Sequence, residues 1–392
     1  MKTARAADRE WRQIVRAWTD EIVAPHAAEF DRTERIPREV LTALAAEGCL
    51  SSFVAADHGG SARGPMEIGV MMEELSRACS SVRCIVTVHG MVCSAIARWG
   101  TAAQQRLWLP ALASGETLAA FALSEPDAGS DIAAVQTRAE RRPSGYAITG
   151  RKKWITAGQI ADVFLTFASS DKGPVAVLVD RATSGLTITP IHGLLGLRGS
   201  MTALLTLDAC PVPDDAIVGR VGFGQSAVAS SALDVGRYCV AWGCVGIAQA
   251  CLDASVEHAA TRRQFGVAIK EHQLIRRKVA NMSVDVRMAR LACTDAGRLR
   301  AAADPDGVVA TCVAKYVAST VCTRAARAAV QIHGAIGCSA DAHVERFFRD
   351  AQAMEIIEGS TQMQQLMIAD HEFRRHTVEF DGVRPGPREV RP

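Results

Sequence analysis

The chain is predicted to fold as an α+β protein, with a β domain between two helical parts. Three observations predict this. Apolar residues up to about 117 recur at helical spacing, and short apolar or alternating runs fill 118–220. No proline then occurs between Pro213 and Pro305, where the apolar repeat is again helical. The expected division is an N-terminal helical domain (1–117), a central β domain (118–222), a C-terminal helical domain (223–376) and a loose tail (377–392).

In the first helix, Trp11, Ile14, Val15, Trp18 and Ile22 repeat every three or four residues, with Arg12, Arg16, Asp20 and Glu21 between them. One face is therefore expected to be buried. Further helices are predicted around 38–47, 66–78 and 84–98, set apart by punctuation such as Asp57-His58-Gly59-Gly60. Runs of strand length follow at 118–123, 146–148, 163–167, 175–179, 186–188 and 204–207, bounded by Gly, Pro, Asp and Ser. Six of the 14 prolines lie between 126 and 213, which suits the turns of a compact β domain. Helical tracts are then predicted over about 306–335 and 361–375, the last with Met363, Leu366 and Met367 on one side.

Composition narrows the function. With 48% hydrophobic and 22% charged residues the chain can form a core. Its 44 Lys+Arg against 42 Asp+Glu create no field to draw in nucleic acid or an acidic membrane. The longest stretch without a charge, 182–197, is interrupted by Pro190 and falls short of the ~20 apolar residues a bilayer needs. No membrane span is expected. The N-terminus is charged where a secretory signal needs an apolar run, so the expected location is cytoplasmic. The 12 cysteines include no C-x-x-C pair and read as buried free thiols. His371 and His376 stand five apart, which turns them about 140° from each other on a helix, so no metal site is expected.

Several short segments carry chemistry. Residues 121–131 (FALSEPDAGSD) begin as a strand and break into a small-residue loop, where backbone N–H groups and the hydroxyls of Ser124 and Ser130 can approach a planar or phosphorylated ligand. Alone, such a loop is an ordinary turn. In 151–158 (RKKWITAG), Trp154 and Thr156 are expected to share one face of a strand, and Trp154 reads equally as a core aromatic. No G-x-G-x-x-G motif opens a helix after a strand, and 193–199 (GLLGLRG) lacks a following phosphate-binding Lys-Ser or Lys-Thr.

Taken together, SEPDAGSD, KKWITAG, RRQFG (262–266), QIHGAIG (331–337), Arg349-Asp350 and IIEGS (356–360) occur in an order and spacing that resembles the acyl-CoA dehydrogenase family over roughly residues 5–376. The resemblance implies an N-terminal helical domain, a middle β domain and a C-terminal four-helix bundle. It also implies FAD bound at a subunit interface of a homodimer or tetramer. Phe121, Leu123, Ser124, Ser130, Trp154 and Thr156 would surround the flavin. Arg262, Gln264, Phe265, Gln273, Gln331, Gly334 and Ala335 would meet the pyrophosphate and adenosine across the interface, with Ser360 and Gln362 just beyond the base. Ala335 departs from the family's usual Gln-x-x-Gly-Gly pattern. Ser130, Asp234, Arg237 and Gly359 would contact the substrate. Guanidinium groups suit phosphate oxygens and indole faces suit a flavin ring, whatever the family. Arg262 also reads as an ordinary solvated helix arginine.

Such chemistry removes an α-proton from an acyl thioester as a β-hydride moves to flavin N5, so it needs a carboxylate base in a water-poor pocket. Glu358 fits, with Ile356 and Ile357 before it as apolar neighbours and Gly359 after it. Glu355 is the rival base, and a helix-starting role for Glu358 is the bland reading. Two features bear on the thiol carrier. Asp370 stands where members that use CoA usually have an arginine against the nucleotide, and residues 240–247 and 354–360 resemble the branch in polyketide extender-unit synthesis, similar to the dehydrogenase of methoxymalonyl units. That branch implies an acyl-carrier-protein thioester, by desaturation or by oxidation of a hydroxylated three-carbon unit to hydroxymalonyl. An ordinary acyl-CoA substrate and a non-catalytic scaffold are the other readings. The electron acceptor, an electron-transfer flavoprotein or oxygen, is not legible in the residues.

Overall fold

The computed structural model describes the backbone of residues 2–381 and the side chains of residues 9–376. Its N-terminal part holds α1 (Lys2–Ile22), α2 (Ala27–Thr33), α3 (Arg38–Ala46), α4 (Pro65–Ala78), α5 (Ser80–Trp99) and α6 (Ala102–Ser114). Trp11, Val15 and Trp18 are buried as the stripe predicts, but Ile14 faces solvent. The stripe is narrower because Arg12 and Arg16 beside it grip α4: Arg12 donates to Glu73 at 2.7 Å and to Glu74 at 2.6 Å, and Arg16 donates to Glu74 at 3.0 Å. Helix α6 runs through Pro110, started by a reciprocal cap in which Thr101 and Gln104 bond each other's backbone N–H.

The middle part is built from β1 (Ala119–Ala122), β2 (Arg138–Arg142), β3 (Gly145–Ile155), β4 (Val163–Ala168), β5 (Val175–Asp180), β6 (Leu186–Pro190), β7 (Ala203–Val212) and β8 (Ile217–Val218). They form two four-stranded sheets, β1-β4-β5-β8 and β2-β3-β7-β6. β4 is buried at every position, and β5 at all but its last, which explains their unbroken apolar runs. The expected alternation around Trp154 fails. Trp154 has φ +65°, the pairing of β3 with β7 slips between Lys152 and Ile155, and the strand ends before Thr156. Trp154 and Thr156 do not share a strand face, and Trp154 is 51% exposed rather than a core aromatic.

The C-terminal part holds α7 (Ser230–Thr261), α8 (Gln273–Ala301), α9 (Gly307–His333), α10 (Val344–Met354) and α11 (Thr361–Asp381). The proline-free tract is not one helical run. A hairpin of β9 (Arg263–Gln264) and β10 (Val267–Ala268) interrupts it, turning at Phe265 and Gly266, both with positive φ. Helices α7, α8 and α9 pack on one another, α11 lies on α9, and α4 and α5 pack against α7. Residues 377–381, expected as loose tail, continue α11, and 382–392 lie outside the described residues.

Helices Ser80–Trp99 and Gly224–Thr261 are long and apolar enough to cross a membrane, although each is interrupted by charges such as Arg83 and Arg237. Both are mostly buried inside this fold, as core helices are. All 12 cysteines are free and only Cys338 is exposed.

Candidate active site

The residues around Glu358 come from four helices and one loop. That loop, between α10 and α11, places Glu358 at φ +54° and Gly359 at φ +91°. For glutamate this left-handed conformation costs about 1 kcal/mol, so its surroundings must enforce it. They do so through the backbone. Arg237 of α7 and Gln364 of α11 each donate to the Glu358 carbonyl at 3.3 Å, while Lys315 of α9 donates to the Gly359 carbonyl at 2.7 Å and Gln364 at 3.1 Å. Thr361 N–H closes the loop onto the Glu355 carbonyl at 2.9 Å.

With its backbone clamped, the carboxyl group points against α7. A Cβ on Gly236 would lie 2.4 Å from Glu358 Oε2 and 2.8 Å from Met91 Sδ, so only glycine leaves room. The residue as a whole is partly accessible, but Oε2 is sealed from water and takes no hydrogen bond among the described residues. Burial pushes this carboxyl up to about 7, against the opposing pull of Arg237, Arg83 and Lys315. Glu355, the rival, differs in its surroundings: its Oε2 accepts the Thr361 hydroxyl at 3.2 Å. The expected apolar wall is only partly where the sequence put it. Ile357 packs on the core, but Ile356 is 64% exposed, and Met91 and Gly236, far away in sequence, stand in its place.

Around the other predicted residues the structure draws two groups. Phe121 and Leu123 are buried at the end of β1, Phe121 against Phe167 at 4.9 Å between ring centres. The Ser124 carbonyl accepts the Lys153 N–H at 2.9 Å, which ties the Ser124–Ser130 loop to the Trp154 strand end, and Ser130 is exposed. A buried ion pair not foreseen from sequence supports this loop. Lys152 Nζ donates to Glu125 at 2.7 Å and to the Leu123 carbonyl at 3.0 Å, and Glu125 also accepts the Gln136 and Thr137 N–H groups. Burial lowers Lys152 to about 8.

The second group lies at one end of the helical part. Stacking of His258 on His333, 4.3 Å apart, joins the end of α7 to the end of α9. Arg262, Gln264, Gln273, Gln331, Gly334 and Ala335 are exposed there, and Phe265 is 93% exposed. Ser360 is partly buried and Gln362 exposed at the start of α11. Asp234 ion-pairs with Arg300 through Oδ2 while its Oδ1 is buried without a partner, and Arg237 bonds the base loop. Arg349 and Asp350 serve structure: Arg349 bridges Asp31 and Glu345, and Asp350 accepts the Leu197 N–H at 2.6 Å.

Sequence reasoning missed Arg83, Gly236, Lys315 and Gln364. Lys315 sits alone as a cation in the apolar run 307–323, and Arg83 in 78–97, which is the signal each left.

Comparison with known proteins agrees with this architecture. Residues 5–116, 120–210 and 226–373 match the acyl-CoA dehydrogenase N-terminal, middle and C-terminal domains in turn. The chain is 34% identical over 370 residues to the human mitochondrial short-chain specific acyl-CoA dehydrogenase, covering 93% of this chain and 89% of that one. A glutaryl-CoA dehydrogenase from Mycobacterium smegmatis, solved with FADH2, superimposes with TM-score 0.89 at 28% identity, covering 93% of this chain and 94% of that one. The structure of FkbI, described as acting in biosynthesis of the methoxymalonyl extender unit of the Fk520 polyketide, matches at 36% identity and TM-score 0.85, covering 91% of this chain and 98% of that one.

The protein belongs to the acyl-CoA dehydrogenase family. It is thus an FAD-dependent oxidoreductase of an acyl thioester, and its likeness to FkbI supports the extender-unit branch. The chain's own features fit the cofactor: Trp154 is half-exposed with the Lys153 ammonium 4.5 Å from its ring centre, Gly129 and Gly334 have open space where a side chain would project, and Arg262 and Gln264 supply exposed donors.

Proposed function

We propose that the protein dehydrogenates a short acyl thioester carried on an acyl carrier protein, with Glu358 as the base that takes the α-proton. The observation that carries this reading is a glutamate whose Oε2 is sealed from water without a hydrogen-bond partner, whose carboxyl is raised to about 7, and whose loop is held by four bonds to the Glu358 and Gly359 carbonyls. A base near neutrality is half ionised at working pH and still a strong proton acceptor. Arg237, Lys315 and Gln364 hold the loop, so the carboxylate need not reorganise as the proton arrives.

FAD, held by Phe121, Leu123, Ser124, Ser130, Trp154 and Thr156 on one side and by Arg262, Gln264, Phe265, Gln273, Gln331, Gly334 and Ala335 of a partner copy, would accept the β-hydride. Ser360 and Gln362 would flank the base. Exposed apolar side chains on α8, among them Leu274, Val284, Met288 and Leu291, support a homo-oligomer, which would cover them.

Two observations support the carrier protein over CoA. Asp370 is exposed on α11, where a carboxylate would repel a nucleotide phosphate, and the likeness to FkbI points to extender-unit chemistry. That likeness also favours a second reading, oxidation of a hydroxylated three-carbon unit on the same carrier. Matched acyl-CoA and acyl-carrier-protein substrates should bleach the flavin at different rates, the carrier-bound one faster. Faster bleaching by the CoA ester would reject the carrier.

A further inference from the structure

Arg83 is the largest unexplained charge in the fold. It lies on α5, wholly buried, in a run of apolar residues. Its Nη2 meets only the Met354 thioether, at 3.0 Å, and its Nε has no partner. Among the described residues no carboxylate forms a salt bridge with it, although a buried guanidinium left this way is strongly destabilising. The fold nevertheless makes room for it. A Cβ on Gly243 would stand 2.8 Å from Arg83 Nε and 3.0 Å from Ser76 Oγ.

This place is next to the base. Gly243 follows Gly236 by seven residues, so both open the same face of α7, one toward Glu358 and the other toward Arg83. Met354, which Arg83 touches, ends α10 four residues before Glu358. The neighbouring cations Arg237 and Lys315 bond backbone carbonyls of the base loop, whereas the Arg83 guanidinium keeps an N–H to give. A purely hydrocarbon acyl chain would leave that donor unsatisfied after binding, and an oxygen acceptor would satisfy it.

We propose that Arg83 selects the acyl group, donating from its guanidinium to an oxygen acceptor, a carboxylate or a hydroxyl, at the far end of a short acyl chain. The inference rests on the acyl-thioester reading above and narrows its substrate class. The position is a specificity residue, since the proton still goes to Glu358.

The test uses the FAD-loaded enzyme and two matched pairs of thioesters on one carrier: butyryl against succinyl, and propionyl against 3-hydroxypropionyl. Dissociation constants come from titrating the flavin spectrum, and reduction rates from stopped flow. The oxygenated member of at least one pair should bind about 10- to 100-fold tighter, the gain of a charge-assisted hydrogen bond, and the pair that responds tells carboxylate from hydroxyl. Arg83→Met should erase that preference, read as the ratio of dissociation constants within each pair, and Arg83→Lys should retain part of it; a full preference that survives Arg83→Met would overturn the assignment. Equal or reversed preference in the wild type, unchanged in Arg83→Met, would overturn the role of Arg83 alone. Failure of all four thioesters to reduce the flavin would instead defeat the acyl-thioester reading, and this inference with it.

Discussion

Replacing Glu358 by Gln is expected to slow flavin reduction by an acyl thioester about 1000-fold while FAD stays bound. The amide keeps the size of the side chain, so the pocket against Gly236 and Met91 remains filled, but it cannot accept the α-proton. The same variant should be more stable than the wild type above neutral pH. The folded carboxyl holds its proton up to about 7, against an ordinary value of 4.5, so the native state carries more protons between those values. Stability therefore falls as pH rises through that window, and at pH 8 the ionised, desolvated carboxylate costs up to about 3 kcal/mol that the amide does not. Thermal melts of both proteins at pH 5 and pH 8 check this: the gap should open only at the higher pH. A variant that loses stability at pH 8 would mean the carboxylate is well paired in the fold.

Gly236→Ala should separate stability from rate in the opposite way. Alanine is the better helix residue by about 1 kcal/mol and α7 is regular here, so the helix itself gains. The new methyl group, however, would meet Glu358 Oε2 at 2.4 Å and Cδ at 2.8 Å, and the carboxyl end is the movable partner. A shift of about 1 Å in a catalytic group costs on the order of 100-fold in rate. The methyl would also stand 2.8 Å from the buried Met91 Sδ, which offsets the helix gain, so the expected result is a melting temperature close to wild type with turnover down about 100-fold. Unchanged turnover would show that the carboxyl does not depend on its seat against α7.

What the sequence made legible was local or motif-borne. The helical stripe through Trp11, Val15 and Trp18, the strand-length runs of β4 and β5, and the loop IIEGS each announce themselves within a few residues, because periodicity and small-residue turns act over that range. What stayed hidden was long-range. Met91, Gly236, Lys315 and Gln364 converge on one glutamate from α5, α7, α9 and α11, and no local pattern marks that meeting. The ion pair of Lys152 with Glu125 is equally invisible, since each residue alone reads as a solvated charge. Trp154 failed for another reason: alternation assumes regular φ, and its positive φ at a bulge turns the indole outward. Helix α10 was legible but passed over: Val344, Phe347, Phe348, Ala351 and Met354 recur at helical spacing over its 11 residues.

Glu358 acts as base through proton acceptance by a buried carboxyl with a pKa of about 7. The most direct test of this is the rate of anaerobic flavin reduction, extrapolated to low substrate, measured from pH 5 to pH 9 on wild-type enzyme. The rate should climb tenfold per pH unit at the acid end and level off above about 7, as the carboxyl ionises. A rate that is flat across the whole range, or that levels off already below pH 5, would contradict it.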